Sequence, residues 1–334
     1  MTYRLFSKYR SELMGAAILW VMFFHAWDLD MGHPLLEFVR AAGFGGVDIF
    51  ILLSAMGLVM SLSKKEQDYS AFMARRAGRI LPAYYTVMLP YTLFLLLTQG
   101  VFWSSLIWNS TLLYYWMRSD GAFNWYVAGA MTFYAITPFC FRKWRGARNR
   151  EALTAAGIIA GLLVCQLLMQ EGYWYVTDFF FRIPVFFLGL LMGFYVMEDK
   201  KLTGTHLLVW AGSLVLGVLC LLAQKTAPVV EEVVYLPLCH LFLFTTVPMC
   251  LVLCACLERL PVGWPGRFFR LLGENSLEIY LLNVSFFSQT EVIRRFISFG
   301  PSNRLYYLVM FAANILLGVG LHRAVEAARK RFTR

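Results

Sequence analysis

The chain has 334 residues, 59% of them hydrophobic and 15% charged, and a formal net charge of +10. A soluble domain carries about 25% charged residues, so a water-soluble globular protein is excluded. The positive excess does not indicate a nucleic-acid partner, because Lys and Arg concentrate in alternate loops between apolar blocks, as they do where loops face the cytoplasm.

Those blocks imply an all-α, polytopic integral-membrane helical bundle of about ten transmembrane helices in a lipid bilayer. One domain over 1–334 is expected, with no soluble appended domain and no internal repeat. The N-terminal stretch from Met1 to Arg10 is short and basic, and the apolar run after it has no small-residue cleavage site. It reads as a retained first helix and not a signal peptide. The expected spans are 11–28, 42–62, 82–99, 122–141, 152–170, 178–197, 206–223, 236–257, 276–290 and 305–322. Basic clusters at Arg4–Arg10, Lys64–Arg79, Arg142–Arg150 and Arg323–Arg334 then share one side. This places both termini in the cytoplasm of a multi-pass plasma-membrane protein.

The first span ends on His25, and an ionisable group within a span costs about 3 kcal/mol, which marks it as a functional candidate. Gly43, Gly45 and Gly46 before the second span suit close helix packing better than a phosphate loop. Arg75, Arg76 and Arg79 form one cationic face on a short basic helix expected to stop before Pro82. The stretch Val101 to Met117 is aromatic but carries Ser104, Ser105, Asn109, Ser110 and Thr111. It reads as interfacial or re-entrant, with Trp103, Trp108 and Trp116 at headgroup level. Asn124, Trp125 and Tyr126 open the fourth span, and a Trp-Tyr pair there serves as an interfacial belt or stacks on a sugar ring. Arg182 lies four residues after Asp178, so the two can pair on one face. Glu278, in the short ninth span beside Ser276 and Tyr280, requires a partner, whereas His240 reads as a core histidine. His33, His206 and His322 receive no role. The seven cysteines fall in apolar runs without paired spacing, so no metal site is expected.

Four stretches together resemble the acyltransferase-3 family of integral-membrane acyltransferases. They are Glu12-Leu-Met-Gly through Phe-Phe-His25, Gly45-Gly-Val-Asp-Ile-Phe-Ile-Leu-Leu-Ser54, Phe72-Met-Ala-Arg-Arg-Ala-Gly-Arg-Ile-Leu-Pro-Ala-Tyr84 and Leu272-Gly-Glu-Asn-Ser-Leu-Glu-Ile-Tyr-Leu281. The resemblance implies a ten-helix bundle that moves an acyl group, often acetyl from acetyl-CoA, to a hydroxyl of a glycan or lipid-linked saccharide. It implies no permanently bound cofactor, with acyl-CoA as donor substrate. The family's first helix usually carries an arginine where this chain has Met14, and the last motif often carries a histidine where this chain has Asn283.

The residues suit that chemistry. Acyl transfer to a hydroxyl requires a base, and neutral imidazole serves near pH 7. His25 stands about 20 Å above the start of its helix at 1.5 Å per residue, at a depth similar to Asp48. A carboxylate beside the imidazole would fix its tautomer; alternatively, Asp48 caps its own helix after Gly46. Arg76 and Arg79 suit the phosphates of CoA or anchoring to acidic lipids. Arg10, one turn before Met14, can reach the same donor. Arg182 is a candidate for polarising the thioester carbonyl or binding the acceptor. A saccharide or metabolite transporter and a catalytically degenerate member of the family are the competing readings.

Overall fold

The structure is a computed structural model describing residues 1–27, 29–65, 67–117, 122–226, 242–259, 263–287 and 304–332. Asp28, Arg118, His240, Arg294 and Arg295 lie outside them, as do the start of the expected span 236–257 and the end of 276–290.

The described residues form helices and loops, with no strand among them. In chain order the helices are α1 (Arg4–Lys8), α2 (Arg10–Phe24), α3 (Pro34–Ala41), α4 (Gly46–Lys64), α5 (Tyr69–Gln99), α6 (Ser104–Ser110), α7 (Tyr114–Met117) and α8 (Trp125–Gly146). They continue as α9 (Arg150–Gln170), α10 (Thr177–Phe180), α11 (Ile183–Met197), α12 (Gly204–Thr226), α13 (Thr246–Arg259), α14 (Trp264–Glu274), α15 (Ser276–Leu282) and α16 (Arg304–Phe332).

Among the described residues, 6 helical stretches are long and apolar enough to cross a membrane: Pro34–Lys64, Tyr69–Gln99, Arg150–Gln170, Trp174–Met197, Gly204–Ala223 and Arg304–Arg331. They give the chain its multi-pass membrane character, but the expected count of about ten is not reached. The first expected span is a helix of 15 residues, where a crossing needs about 20. The fourth ends in Arg142, Lys143 and Arg145.

The short basic helix before Pro82 is not a separate element. α5 runs for 31 residues through both Pro82 and Pro90. A proline removes one backbone hydrogen bond, a loss that hydroxyl side chains and neighbouring helices offset in apolar bundles. The stretch 101–117 contains only the short α6 and α7, so no crossing helix forms there. Trp103 is exposed, and Trp116 is half-buried and packs edge-on against Phe179 at 5.0 Å.

α2 lies between two close neighbours. On one side it meets α14 backbone to backbone: a Cβ at Gly273 would lie 1.8 Å from the Ser11 carbonyl oxygen, and one at Gly15 would lie 1.9 Å from that of Phe269. On the other side Gly46 of α4 faces Ala17, where a Cβ would sit 2.6 Å from the carbonyl oxygen. Gly43 meets Trp20 in the same way at 2.4 Å, as the packing role expected of these glycines requires. α11 crosses α4 through Gly189 and Gly193, against Leu52 and Val59. Small residues at such crossings are the means by which apolar helices gain van der Waals contact where lipid removes the hydrophobic drive between them.

Adding a methyl at Gly273 forces α14 off α2. Gly273→Ala is expected to destabilise by about 1–3 kcal/mol, whereas Gly320→Ala in α16, with no atom within 4 Å, should be neutral or stabilising by up to about 1 kcal/mol. Thermal unfolding of the purified variants in detergent checks this; equal midpoints would contradict the packing.

Candidate functional site

Local sequence chemistry places each side chain of the site. α2 ends at Phe24, and Ala26 donates to the Phe23 carbonyl at 3.2 Å, a tight final turn that leaves His25 at the helix terminus. Asn124 caps α8, its side-chain oxygen accepting from the Val127 amide at 2.9 Å, an arrangement that satisfies an otherwise orphan helix donor. Its amide nitrogen donates to the Tyr280 hydroxyl at 3.1 Å and ties α8 to α15. Arg182 occupies the joint between α10 and α11, directly before the first turn of α11, where Pro184 is tolerated because its missing N–H would have no intrahelical partner.

These elements enclose two adjoining chambers. One, of about 370 Å³, is lined by Val21, Phe24, Phe44 and Val47 on its apolar side and by Asp178 and Arg182 on its polar side. The other, of about 230 Å³, is lined by Tyr115, Phe123, Asn124 and Val284 among others. His25, Trp125, Asp178 and Tyr280 border both.

Arg182 is 3% exposed. It donates to the Asp178 carbonyl at 2.7 Å and to that residue's carboxylate at 3.3 Å. Its Nε lies 3.8 Å from the Asp48 carboxylate, and its guanidinium stacks 4.5 Å from the centroid of the Trp125 ring. Two carboxylates and an aromatic face therefore hold one buried cation. Asp48 is itself buried at the third position of α4, near the positive end of that helix. The structure places it against Arg182, where a partner for the imidazole was expected. The side chain that faces the His25 ring is Asn283. Nδ1 of His25 and Oδ1 of Asn283 are both buried without a hydrogen bond.

A second group gathers at the other end of α2. Arg10 turns into the bundle, its Nε donating to the Leu53 carbonyl at 3.4 Å. Its guanidinium occupies the space left by Gly57, where a Cβ would come within 3.1 Å of it. Arg79 and Arg76 lie close enough for their charges to act on it, as do the hydroxyls of Tyr134 and Tyr126. Arg76 donates to Ser61 at 2.9 Å and stacks on Phe72 at 5.2 Å. Arg75 is instead exposed and bound to Gln67. A void of about 10 Å³ lies between α4 and α8, lined by Ser54, Ala55, Tyr126, Ala130 and Tyr134 among others. Tyr126 packs edge-on against Tyr280 at 5.2 Å, but it does not line either chamber.

Of the residues singled out in the sequence, His25, Trp125 and Arg182 thus share a chamber, and Asp48 joins them through Arg182. Arg10, Arg76 and Arg79 share the second group. Sequence reasoning missed Tyr115, Asn124, Tyr280 and Asn283 as site residues; the signal available was the spacing of Tyr280, Asn283 and Val284, which puts them on one helical face. It also left His322 without a role, whereas His322 Nδ1 lies 3.0 Å from the buried Glu278 carboxylate and is the partner that Glu278 required.

The family described as an acyltransferase domain matches residues 15–323. Neither a curated protein nor a solved structure matches the chain.

Removing Arg182 strands a buried charge. Arg182→Met is expected to cost about 3–5 kcal/mol, and adding Asp48→Asn should recover much of it, since an uncompensated buried carboxylate carries most of the penalty. A thermal-unfolding double-mutant cycle measures this; a single variant as stable as wild type would remove the pair from the core of the site.

Proposed function

Because the chain belongs to the acyltransferase-3 family, we propose that it transfers an acyl group, acetyl in the simplest case, from a CoA thioester to a hydroxyl of a glycan or lipid-linked saccharide of the cell envelope, with the chemistry at His25. The observation that supports this best is the arrangement along α2. One helix presents His25 to a chamber at one end and Arg10 to Arg76 and Arg79 at the other.

The arginine group suits the phosphates of CoA, for which guanidinium offers bidentate, charge-assisted contacts. From Arg10 to His25 the helix rises about 20 Å at 1.5 Å per residue, a span that an extended pantetheine arm covers. Arg10 takes the part of the family arginine replaced by Met14. The donor side is the cytoplasm, and both termini lie there. The acceptor enters from the opposite side of the plasma membrane.

In the chamber His25 acts as general base. It takes the proton of the acceptor hydroxyl as that oxygen attacks the thioester carbonyl carbon. The carbon–sulfur bond breaks, the imidazolium returns the proton to the thiolate, and an ester and a free thiol leave a neutral imidazole. Arg182 supplies a fixed positive charge to the oxyanion, and a charge held beforehand by Asp48 and Asp178 needs no reorganisation during the reaction. Trp125, stacked by Arg182 on one side, and Tyr126 behind it offer aromatic surface to a sugar ring.

The test is transfer of labelled acetyl from acetyl-CoA in purified membranes. His25→Ala is expected to abolish transfer. Arg10→Gln should raise the donor KM by ten- to more than a hundredfold, because a lost charge-assisted hydrogen bond costs about 1.5–3 kcal/mol, and Met14→Arg should be tolerated. An unchanged donor KM in Arg10→Gln would place the donor elsewhere, and full activity in His25→Ala would refute the mechanism. Labelling of single-cysteine variants from each side of the membrane checks the orientation: reaction of the 142–150 segment only from outside would invert it.

A further inference from the structure

Two buried polar atoms beside the chamber have no hydrogen-bond partner, Nδ1 of His25 and Oδ1 of Asn283, and the groups that act on the His25 ring are the Val21 backbone carbonyl of its own helix and the Asn283 side chain. Those two atoms are complementary. A neutral imidazole carries one N–H donor and one acceptor nitrogen, while an amide oxygen only accepts. His25 borders both chambers, and with Nδ1 buried the nitrogen it offers them is Nε2. A base at Nε2 requires the proton at Nδ1, and a buried N–H costs free energy unless it is accepted.

Asn283 is placed to accept it. It is 2% exposed and is the side chain facing the ring. It also opens the π-helical turn Asn283–Phe287 that follows α15, a wider turn that occurs mostly at functional sites. Tyr280 and Val284, one turn back and one residue on, line the same chamber wall, and Ser285 is turned away, bound to the Leu281 carbonyl at 2.7 Å. Asp48, the residue otherwise suited to this duty, lies 3.8 Å from Arg182 and is not among the groups that act on the His25 ring.

We propose that Asn283 is the positioning residue of this site: its amide oxygen accepts from Nδ1–H of His25, holds the Nδ1-protonated tautomer and leaves Nε2 free to accept the proton of the acceptor hydroxyl. The proposal deepens the acyl-transfer reading and rests on it for the identity of that hydroxyl. A neutral amide in this position differs in kind from a carboxylate. It fixes the tautomer without adding a negative charge that would hold the imidazole protonated.

The test reads the ring directly. Protein labelled with nitrogen-15 histidine is placed in lipid nanodiscs, and the His25 signals are assigned by their loss in His25→Gln. Wild type is expected to show the Nδ1-protonated tautomer, and Asn283→Leu a shift toward the Nε2-protonated one. In Asn283→Asp, whose side chain has the same shape, the imidazole should stay protonated to a pH about 1 unit higher or more, with the acid limb of any transfer activity moving by the same amount. An Nε2-protonated ring in wild type, or no movement in Asn283→Asp, overturns the proposal. If Asn283→Leu does not fold, Asn283→Asp decides alone. A protein that shows the expected tautomer but transfers no acetyl would sink the acyl-transfer reading and leave the positioning contact standing.

Discussion

The contact between α2 and α14 sets the geometry of everything else. With no side chain at Gly15 or Gly273, the two backbones touch, and neither helix can slide or roll without collision. Protein interiors are close-packed and resist such displacement. Near this crossing Glu12 of α2 is 4% exposed and bound to Arg270 of α14 at 2.5 and 3.0 Å, so a charge pair locks the register that the glycines permit. Because His25 and Arg10 stand at opposite ends of this one clamped helix, the separation between the chamber and the arginine group is fixed by covalent geometry and not by loops.

Electrostatic order in the chamber has a different origin. A buried cation is tolerated only if it is paired and hydrogen-bonded; Arg182 is hydrogen-bonded to Asp178 of α10 and has Asp48 of α4 at 3.8 Å and the Trp125 face of α8 beside it. Its place at the joint between α10 and α11 lets it reach groups from all three elements. Asp178 remains half exposed to the chamber, so the polar wall carries a carboxylate accessible to a ligand beside a guanidinium held in place.

The apolar blocks and their breaks were legible because lipid forces backbone groups into helices, and they located most of the crossings. Their number was not, since α2 and α15 are short pieces supported by neighbours, and no local pattern distinguishes such a piece from a full span. Pro82 misled for a related reason: the cost of a proline is modest where adjoining helices re-satisfy the backbone. His25 and Arg182 stood out as charges in apolar surroundings. Asn283 stood out only as the place where the resembling family's last motif often carries a histidine, and its meaning depends on an imidazole more than 250 residues away in the chain. The Asp48–Arg182 contact was not legible, because depth can be counted along a helix, whereas the direction in which a side chain points across the bundle cannot.

The gap between α4 and α8 has a consequence for the membrane itself. At about 10 Å³ it has room for roughly one water molecule, and its walls are mostly apolar, with the hydroxyl residues Ser54, Tyr126 and Tyr134 among them. A passage wide enough for a thioester arm at all times would also conduct water and protons down their gradient. Kept this narrow, the space between the two helices offers no standing path for either.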